Sequence, residues 1–321
     1  MINKGFWEKL ETPFFVLAPM YDVTDAAFRR IIAKYSEPDV IFTEFVSVDG
    51  LSHPVGRKKL EHYLWFDESE RSVVAQVFGV KPENFENVAK LCNELGFDGI
   101  DINMGCPEKN IVKQGTGSGL IQNPELAKDI ISATLSGAGD MPVSVKTRIG
   151  FNKEEIDEWL PNILNKNVAA LTVHLRTRKE MSKVPAHWDM MPRIVDMKNS
   201  LAPETKLLGN GDVTTIKQGE ELVEKTGCDG IMIGRGVFGN PWLFSNEIKD
   251  ISVEERLRVM VEHTQLYAEL FTGIKNFAIM KKHYKAYANG FPNAGILRAK
   301  LMEADSAEEV TEIVEYFLKK K

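Results

Sequence analysis

Eight short apolar segments, each of strand length, recur between residues 14 and 236 and limit how this chain can fold. Amphipathic helix patterns separate most of them, for example residues 24–35 after the first segment and 81–96 after the third. Strands that are apolar throughout are typical of parallel sheets, which helices cover. Eight such units in series predict a closed (β/α)8 barrel. The predicted strands are 14–20, 39–45, 73–79, 99–105, 143–149, 170–175, 206–211 and 230–236.

A doubly wound open sheet is the alternative arrangement of the same units. That fold usually carries a GxGxxG turn after its first strand, and no such turn follows residues 14–20. The length of 321 residues exceeds that of a typical barrel of about 250, so an additional small domain is expected. We therefore predict an α/β protein with a TIM barrel over residues 1–245 and a C-terminal helical bundle over 251–321.

Composition and cysteine usage narrow the class of protein. Apolar residues make up 43% and charged residues 27% of the chain, the balance of a globular protein, and no apolar run reaches the length of a membrane span. The first residues lack the apolar core of a signal peptide, so we expect a cytoplasmic protein. The three cysteines form no CxxC pair, so we expect no metal site, iron–sulfur cluster or disulfide framework.

Polar side chains or glycine turns stand near the C-terminal end of every predicted strand. In barrels, the loops at this edge converge over one mouth, where active sites are built. Any one of these residues could be an ordinary hydrogen-bonded rim residue. Eight at the same edge predict a binding site at the mouth. In chain order they are Pro19 with Met20, Glu44, Gln76, Asn103, Lys146, His174, Asn210 and Gly234 with Arg235.

The last two strands end in glycine-rich turns, GNGD at 209–212 and GRG at 234–236. Glycine lets the backbone approach a ligand closely, Arg235 offers a planar fork of donors, and this part of a barrel commonly holds phosphate. The same glycines could simply form tight turns. Lys146 within an apolar strand requires an anion or a polar ligand, and a cation suits the N1–C2=O edge of a reduced flavin. These features predict a flat, phosphorylated, redox-active ligand.

One of the three cysteines, Cys106, lies on a turn between a glycine that follows a strand and a proline. A structural cysteine is usually buried in a helix or strand, as the patterns around Cys92 and Cys228 predict. Cys106 is therefore the candidate reactive thiol. The glycine-rich residues 115–119 behind it are predicted to form a mobile flap over the mouth.

The net charge of −6 argues against a nucleic-acid partner, but the charge is unevenly distributed. Residues 275–300 contain six basic residues, no acid and several aromatic side chains. This combination is typical of a nucleic-acid surface, although a solvated helix face above core aromatics has the same composition. The six are Lys275, Lys281, Lys282, Lys285, Arg298 and Lys300.

Seven motifs resemble, in order and spacing, those of the bacterial tRNA-dihydrouridine synthases, and the residues from 280 onward resemble the helical RNA-binding domain of that family. The likeness covers nearly the whole chain, and the xNxGCPxK segment is its most specific part. Relatives often read HxRTRxQxYxGxADW where this chain has HLRTRKEMSKVPAHW at 174–188, without the tyrosine and the glycine. The motifs are APM (18–20), TEF (43–45), DINMGCPEKNIVKQGTGSGL (101–120), PVSVKTRIGF (142–151), TVHLRTR (172–178), GNGD (209–212) and DGIMIGRGVFGNPW (229–242).

This resemblance implies an FMN-dependent enzyme that reduces the C5–C6 double bond of specific uridines in tRNA, with NADPH as hydride source. The reduced flavin gives hydride to C6, and Cys106 donates the proton at C5. The implied FMN contacts are Pro19, Met20, Tyr21, Gln76, Lys146, His174, Asn210, Gly211, Asp212, Gly234 and Arg235. The substrate contacts we assign are Asn103, Arg148, Arg176, Lys281, Lys282 and Lys285. The expected partners are tRNA and NADPH, without a membrane, and the expected state is monomeric.

Three other functions share parts of this pattern. A flavin barrel acting on a small molecule such as dihydroorotate would have the phosphate end and a loop cysteine, but would not need residues 251–321. A non-redox phosphate-binding barrel, such as a lyase, would lack flavin absorbance. A non-catalytic RNA-binding module would not need the turn from Asn103 to Cys106.

Overall fold

The computed structural model describes residues 4–245 and 250–320, so the predicted domain limits at residues 1 and 321 lie outside the described residues. Nine strands form one parallel sheet in the order β2-β1-β9-β8-β7-β6-β5-β4-β3, and pairing of β2 with β4 closes it. The predicted TIM barrel is confirmed. The strands are β1 Phe14–Leu17, β2 Val40–Phe42, β3 Val46–Ser47, β4 Val73–Phe78, β5 Gly99–Asn103, β6 Val143–Arg148, β7 Ala170–His174, β8 Lys206–Asn210 and β9 Gly230–Ile233.

The second barrel strand is built in two pieces, β2 and β3, which both pair with β4. Thr43 follows β2 and still donates its backbone N–H to the carbonyl of Val74 at 3.0 Å, while its side-chain oxygen accepts from the backbone N–H of Gln76 at 3.1 Å. The chain leaves the ladder after Thr43. Several predicted strands are likewise longer than the observed ones at their C-terminal ends. There the chain turns out of the ladder, as at Pro19 and Met20 after β1, and forms the mouth.

Helices follow the strands around the barrel and continue as a group of four at the C-terminus. Proline at the first helical turn begins α4 and α6, where a missing backbone N–H costs nothing. The helices are α1 Ala26–Tyr35, α2 Val48–Leu51, α3 Pro54–Leu60, α4 Pro82–Glu94, α5 Lys109–Lys113, α6 Pro124–Ala138, α7 Ile156–Leu164, α8 Met191–Leu201, α9 Ile216–Thr226, α10 Val253–Phe271, α11 Lys281–Tyr287, α12 Ala294–Glu303 and α13 Ala307–Lys319. No helix within 4–245 and 250–320 is long and apolar enough to cross a membrane.

A tryptophan fills the end of the barrel opposite the mouth. Trp7 lies in a short 3-10 turn ahead of β1 and is buried, with its ring centroid 6.0 Å from that of Phe14 and 6.5 Å from that of Phe42. Val16 and Met232 belong to the same cluster of buried apolar side chains. The barrel is therefore packed below the mouth, so any ligand space lies at the C-terminal edge.

The predicted C-terminal helices are present and share an apolar core with α1 of the barrel. Ala27 and Ile31 of α1 are buried in one cluster with Leu257, Met260 and Tyr284 of the C-terminal helices. Burial of apolar side chains between helices is the main favourable contribution to such packing. Polar contacts follow the same line, since Lys34 and Tyr35 both donate to Glu262 at 2.6 Å. The helical domain is thus packed directly against the first helix of the barrel.

Candidate functional site

A cavity of about 500 Å³ opens at the C-terminal ends of the barrel strands. The barrel residues assigned above to catalysis, FMN or substrate all line it, because parallel strands bring their C-terminal ends to one rim. Glu44, also predicted at this edge, does not line the cavity, because its carboxylate is buried against Lys275. Among its other wall residues are Phe45, Pro107, Ser182 and Thr214. The predicted residues that it brings together are Pro19, Met20, Tyr21, Gln76, Asn103, Cys106, Lys146, Arg148, His174, Arg176, Asn210, Gly211, Asp212, Gly234 and Arg235.

One corner of the cavity is formed by the turns after β8 and β9. Gly211 has a φ of 136°, a conformation that favours glycine, and a Cβ there would come within 2.7 Å of the Ala186 side chain. The carboxylate of Asp212 accepts hydrogen bonds from Arg176, from the backbone N–H of Ala186 at 2.9 Å and from Arg235 at 3.3 Å. Burial alone would raise the pKa of this carboxyl, but these donors lower it. Asp212 therefore stays charged and orients the exposed Arg235 guanidinium.

Lys146 and His174 form the floor next to this corner. Burial and the charge of Arg148 lower the pKa of the Lys146 ammonium to about 8, and its Nζ has one hydrogen bond, to Asn210 Oδ1 at 3.3 Å. Burial and the surrounding cations, Arg148 first among them, lower the pKa of His174 well below its usual value. His174 Nε2 lies 3.1 Å from a guanidinium nitrogen of Arg176. Because Arg176 can only donate, the neutral ring carries its proton on Nδ1.

The turn that carries Cys106 is held from two sides. Asn103 Oδ1 accepts from the backbone N–H of Cys106 at 2.9 Å and from that of Gly105 at 3.2 Å. The carbonyl of Cys106 accepts from both the N–H and the hydroxyl of Ser118, at 3.0 and 2.9 Å. Residues 117–122 form a buried 3-10 helix behind the turn. The predicted flap over the mouth is wrong, because none of residues 115–119 lines the cavity and Gly117 packs against the cysteine turn. A Cβ on Gly117 would come within 2.9 Å of the Cys106 carbonyl oxygen.

The thiol of Cys106 is partly buried and protonated at neutral pH. Burial raises its pKa, against the smaller opposing effects of the backbone N–H of Glu108 and the charge of Arg148. The other two cysteines, Cys92 and Cys228, are buried, as predicted for packing residues. Cys106 is thus the one of the three that reaches the cavity.

Comparison with known proteins identifies the family of this chain. The family model for dihydrouridine synthase matches residues 16–321. A probable tRNA-dihydrouridine synthase of Staphylococcus aureus (strain MRSA252) is 42% identical over 318 residues, which are 98% of this chain and 96% of the relative. Probable tRNA-dihydrouridine synthase 2 of Bacillus subtilis (strain 168) is 43% identical over 321 residues, 99% of this chain and 98% of the relative. The chain belongs to the dihydrouridine synthase family.

Solved structures resemble this dihydrouridine synthase chain in fold. A morphinone reductase mutant in complex with tetrahydroNAD superposes with a TM-score of 0.50 at 11% identity, over 72% of this chain and 85% of the reductase. A 6-hydroxypseudooxynicotine amine oxidase from Pseudomonas geniculata gives a TM-score of 0.53 at 11% identity, over 72% of this chain and 46% of the oxidase. At this identity the likeness extends to the barrel fold alone.

The loop at 174–188, in which this dihydrouridine synthase chain departs from its family pattern, is held by two buried arginines. Arg148 donates from Nε to the carbonyl of Gly105 at 2.7 Å and from a terminal nitrogen to that of Met181 at 3.3 Å. Arg176 donates from Nε to the carbonyl of Val184 at 2.6 Å. Both line the cavity, but the hydrogen bonds they make here are to the protein. The two arginines therefore hold this part of the wall in place.

Two acidic residues that support the walls of this dihydrouridine synthase site, without lining the cavity, were not predicted. Glu180 accepts from the backbone N–H of Thr177 at 2.7 Å and lies 2.9 Å from His187 Nε2, which closes the loop on itself. Asp101 is fully buried in β5, and burial raises its pKa to about 6. The sequence could have indicated a role for Asp101, because an acid inside the apolar segment GIDIN is buried and a buried carboxylate requires hydrogen-bond partners. Its partners lie on other strands.

The three lysines predicted from the tail do not reach the cavity. Lys281 pairs with Asp305 at 3.1 Å, Lys282 donates to the backbone carbonyl of Asp22 at 2.8 Å, and Lys285 is exposed. Lys275 of the same basic stretch is not on the surface, since it forms a buried ion pair with Glu44 at 2.6 Å. The predicted basic surface of this dihydrouridine synthase is therefore smaller than its sequence suggests.

Proposed function

We propose that this protein is a cytoplasmic tRNA-dihydrouridine synthase that binds FMN in the barrel mouth and reduces the C5–C6 double bond of specific uridines in tRNA. NADPH is the proposed hydride source, and Cys106 the proposed proton donor. The observation that carries the proposal is one cavity that combines a glycine-rich anion corner, a half-buried lysine and a protonated thiol. Membership of the dihydrouridine synthase family supports it.

The donors at the cavity floor fit a flavin mononucleotide. Lys146 is a half-buried cation with three N–H donors, of which one is used in the hydrogen bond to Asn210. The others can donate to an anionic or carbonyl edge of a ligand. His174 carries an N–H on Nδ1, and Gln76 retains one of its two amide hydrogens. We assign Lys146 to the N1–C2=O edge, where a cation favours the reduced ring.

The corner at Gly211 and Gly234 fits the phosphate. Gly211 adopts a backbone conformation that side chains disfavour, so the chain there can lie close to a ligand. Arg235 is exposed, is oriented by Asp212 and offers a planar set of donors to an anion. The chemistry that FMN supplies when bound here is hydride transfer, directed to C6 of the uracil.

Cys106 is placed to complete the reduction. A thiol with a raised pKa holds its proton near neutrality, so Sγ can deliver it to C5 while hydride adds to C6. The two additions saturate the double bond and leave a thiolate, which the positive charge of Arg148 stabilises. A positioned general acid contributes roughly 10²–10⁴-fold to the rate of such a step. The thiolate then regains its proton from water.

The uracil has to leave its stack to enter the mouth. Asn103 already uses its carbonyl on the Cys106 turn and one amide hydrogen on Gln76, so one N–H remains to donate to a uracil carbonyl. Tyr21 at the rim is 52% exposed and stacks on Tyr63 with ring centroids 6.1 Å apart. This pair offers an aromatic surface to a neighbouring base.

The remaining tRNA contacts are assigned to α11. Lys282 donates to the carbonyl of Asp22, next to Tyr21 of the cavity wall, so this helix lies directly beside the mouth. Lys281 and Lys285 extend the basic face of the same helix. Phosphates along a tRNA that reaches the mouth would meet these three side chains.

The test is reduction of tRNA by the purified protein. We expect a yellow protein from which FMN is released on denaturation, and which with NADPH converts uridine to dihydrouridine in tRNA that lacks the modification. Mapping the product by sequencing identifies the position. A colourless protein that cannot be reconstituted with FMN, or a flavoprotein that turns over dihydroorotate but not tRNA, would contradict the proposal.

A further inference from the structure

Asp101 lies in one row of side chains that crosses three neighbouring strands. It is the register partner of Gln76 on β4 and of Ser144 on β6. Its two carboxylate oxygens are both used, since Oδ2 accepts from Gln76 Nε2 at 2.7 Å and Oδ1 accepts from the Ser144 hydroxyl at 2.7 Å. The carboxyl is fully buried and does not line the cavity. Its contacts are therefore to the protein alone.

From Asp101 a chain of hydrogen bonds leads to Cys106. Gln76 Oε1 accepts from Asn103 Nδ2 at 2.9 Å, and Asn103 Oδ1 accepts from the backbone N–H of Cys106 at 2.9 Å. At one end stand backbone N–H groups, which can only donate. At the other end stands a carboxylate, which accepts when ionised. The two amides between them thus have one consistent orientation.

We propose that Asp101 is a positioning residue for Cys106, because it is the acceptor that fixes the orientation of Gln76 and, through it, of Asn103. This inference rests on the proposed function, in which Cys106 donates a proton to the uracil. Without an acceptor at position 101, Gln76 is free to turn its amide and present N–H to Asn103. Two donors would then face each other, and Asn103 would relieve the conflict by turning its own N–H towards the turn that it now holds.

If the side chain at position 101 served only to fill space in the core, it would not need to be an acid. Burying a carboxylate is costly unless hydrogen bonds compensate, and an apolar residue is the cheaper choice inside a strand. The carboxylate here accepts two short hydrogen bonds. It acts on the Cys106 turn through three successive hydrogen bonds, by way of Gln76 and Asn103. The role predicted for position 101 is therefore that of an acceptor, with its charge secondary.

Two substitutions separate these properties. Asp101→Val removes the acceptor in a side chain of similar size, whereas Asp101→Asn removes the charge but can still present a carbonyl oxygen to Gln76. Asp101→Ala serves as a second acceptor-free variant in case the valine variant does not fold. Asp39→Ala is the matched control, because Asp39 accepts from the backbone N–H of Phe15 at the start of β1, at the opposite end of the barrel.

Three properties are measured on the FMN-loaded protein: flavin reduction by NADPH without tRNA, kcat and KM for uridine reduction in tRNA, and alkylation of Cys106 by iodoacetamide followed by mass spectrometry. For Asp101→Val we expect kcat on tRNA to fall about tenfold or more, the size expected when buried donors lose their partner. Flavin reduction per bound FMN should change less than kcat on tRNA, because NADPH oxidation does not use Cys106. Alkylation should be faster because the turn is released. Asp101→Asn and Asp39→Ala should resemble the wild type.

The outcomes are separable. If the wild type makes no dihydrouridine, the proposed function fails, and the alkylation rates still test the turn. If the wild type is active and the valine and alanine variants alkylate and turn over like it, Asp101 does not position Cys106. If kcat on tRNA fell equally in the asparagine and valine variants, the effect would be due to the charge of Asp101. If flavin reduction and uridine reduction both fell in proportion to the FMN content, the effect would be due to packing. Either result would overturn the proposal.

Discussion

Lys275 of the helical domain and Glu44, between the two pieces of the second barrel strand, form an ion pair with an N–O distance of 2.6 Å, and their side chains are only 5% and 2% exposed. Lys275 also lies over the rings of Tyr63 and Phe271, 4.8 and 5.2 Å from their centroids. The second oxygen of Glu44 accepts from the backbone N–H of Asp22 at 2.6 Å. This pair joins the helical domain to the wall of the mouth.

Breaking this pair from one side should destabilise the protein. At pH 8, where Glu44 is mostly ionised in the wild type, Lys275→Met removes the cation from a buried carboxylate, a change that typically costs about 3–5 kcal/mol. The double variant with Glu44→Gln should recover much of the loss, since no unpaired charge remains. Urea unfolding of the wild type, both single variants and the double variant measures the coupling. Additive single effects would show that the two charges do not interact.

The pH dependence of unfolding should report the same pair. Burial raises the pKa of Glu44 to about 7, against the lowering effect of Lys275. The folded state therefore binds more protons than the unfolded state between the ordinary glutamate pKa and about 7. The stability contributed by this group is present below that window and decreases as pH rises through it. The difference between wild type and Glu44→Gln in urea unfolding from pH 5 to 8 should follow this direction, and a difference that does not change with pH would contradict it.

FMN retention should depend on both ends of the cavity. Lys146→Ala with Arg235→Ala should release FMN, because the two residues are assigned to the ring edge and to the phosphate, and each truncation removes charge-assisted donors. The measurement is the FMN content of the purified double variant. Lys206→Ala is the control, since Lys206 donates to the carbonyl of Leu10 at the opposite end of β8 and should leave FMN content unchanged. Full FMN content in the double variant would contradict the assignment of Lys146 and Arg235 to FMN binding.

Cys106→Ala should separate the two half-reactions. NADPH should still reduce the bound flavin at the wild-type rate, whereas uridine reduction should fall by roughly 10²–10⁴-fold, the contribution of a positioned acid. Cys92→Ala and Cys228→Ala, both buried away from the mouth, should affect stability only. Equal loss of both half-reactions in Cys106→Ala would indicate a structural cysteine. Because burial raises the pKa of the Cys106 thiol, its alkylation should accelerate at higher pH than that of a free thiol.

Salt dependence should reveal the tRNA surface on α11. Replacing Lys281, Lys282 and Lys285 with alanine should weaken tRNA binding and flatten its slope by up to roughly 0.7–0.9 per contact per log unit of salt. The flattening should fall short of three full contacts, because Lys281 already pairs with Asp305. The control replaces Lys166, Lys217 and Lys225 with alanine, because Lys166 follows α7 and the other two lie in α9 of the barrel. Affinity at several salt concentrations is the measurement, and coincident slopes for the α11 variant and wild type would exclude this surface.

The barrel and its cavity residues could be predicted because the signal for each is local. An apolar strand is visible in its own few residues, and the C-terminal edge of parallel strands places His174 and Asn210 side by side without further information. Lys275 could not be placed in this way. A basic residue among aromatic residues is typical of a protein surface, so the pattern predicts an exposed lysine. Its partner Glu44 is distant in the sequence, and nothing local indicates the ion pair. The same holds for residues 117–122, whose glycines indicate flexibility until the buried contact with Cys106 is seen.

The shared core between α1 and the C-terminal helices also bears on how a uridine is chosen. Helix α1 begins at Ala26, immediately after the turn that carries Met20 and Tyr21 at the rim of the cavity. The span from the basic helix α11 to the thiol is therefore set by this packing. If the phosphates of a tRNA are bound on that helix, the distance from the bound phosphates to Cys106 is fixed. Only a uridine at that distance along the tRNA would then reach Cys106.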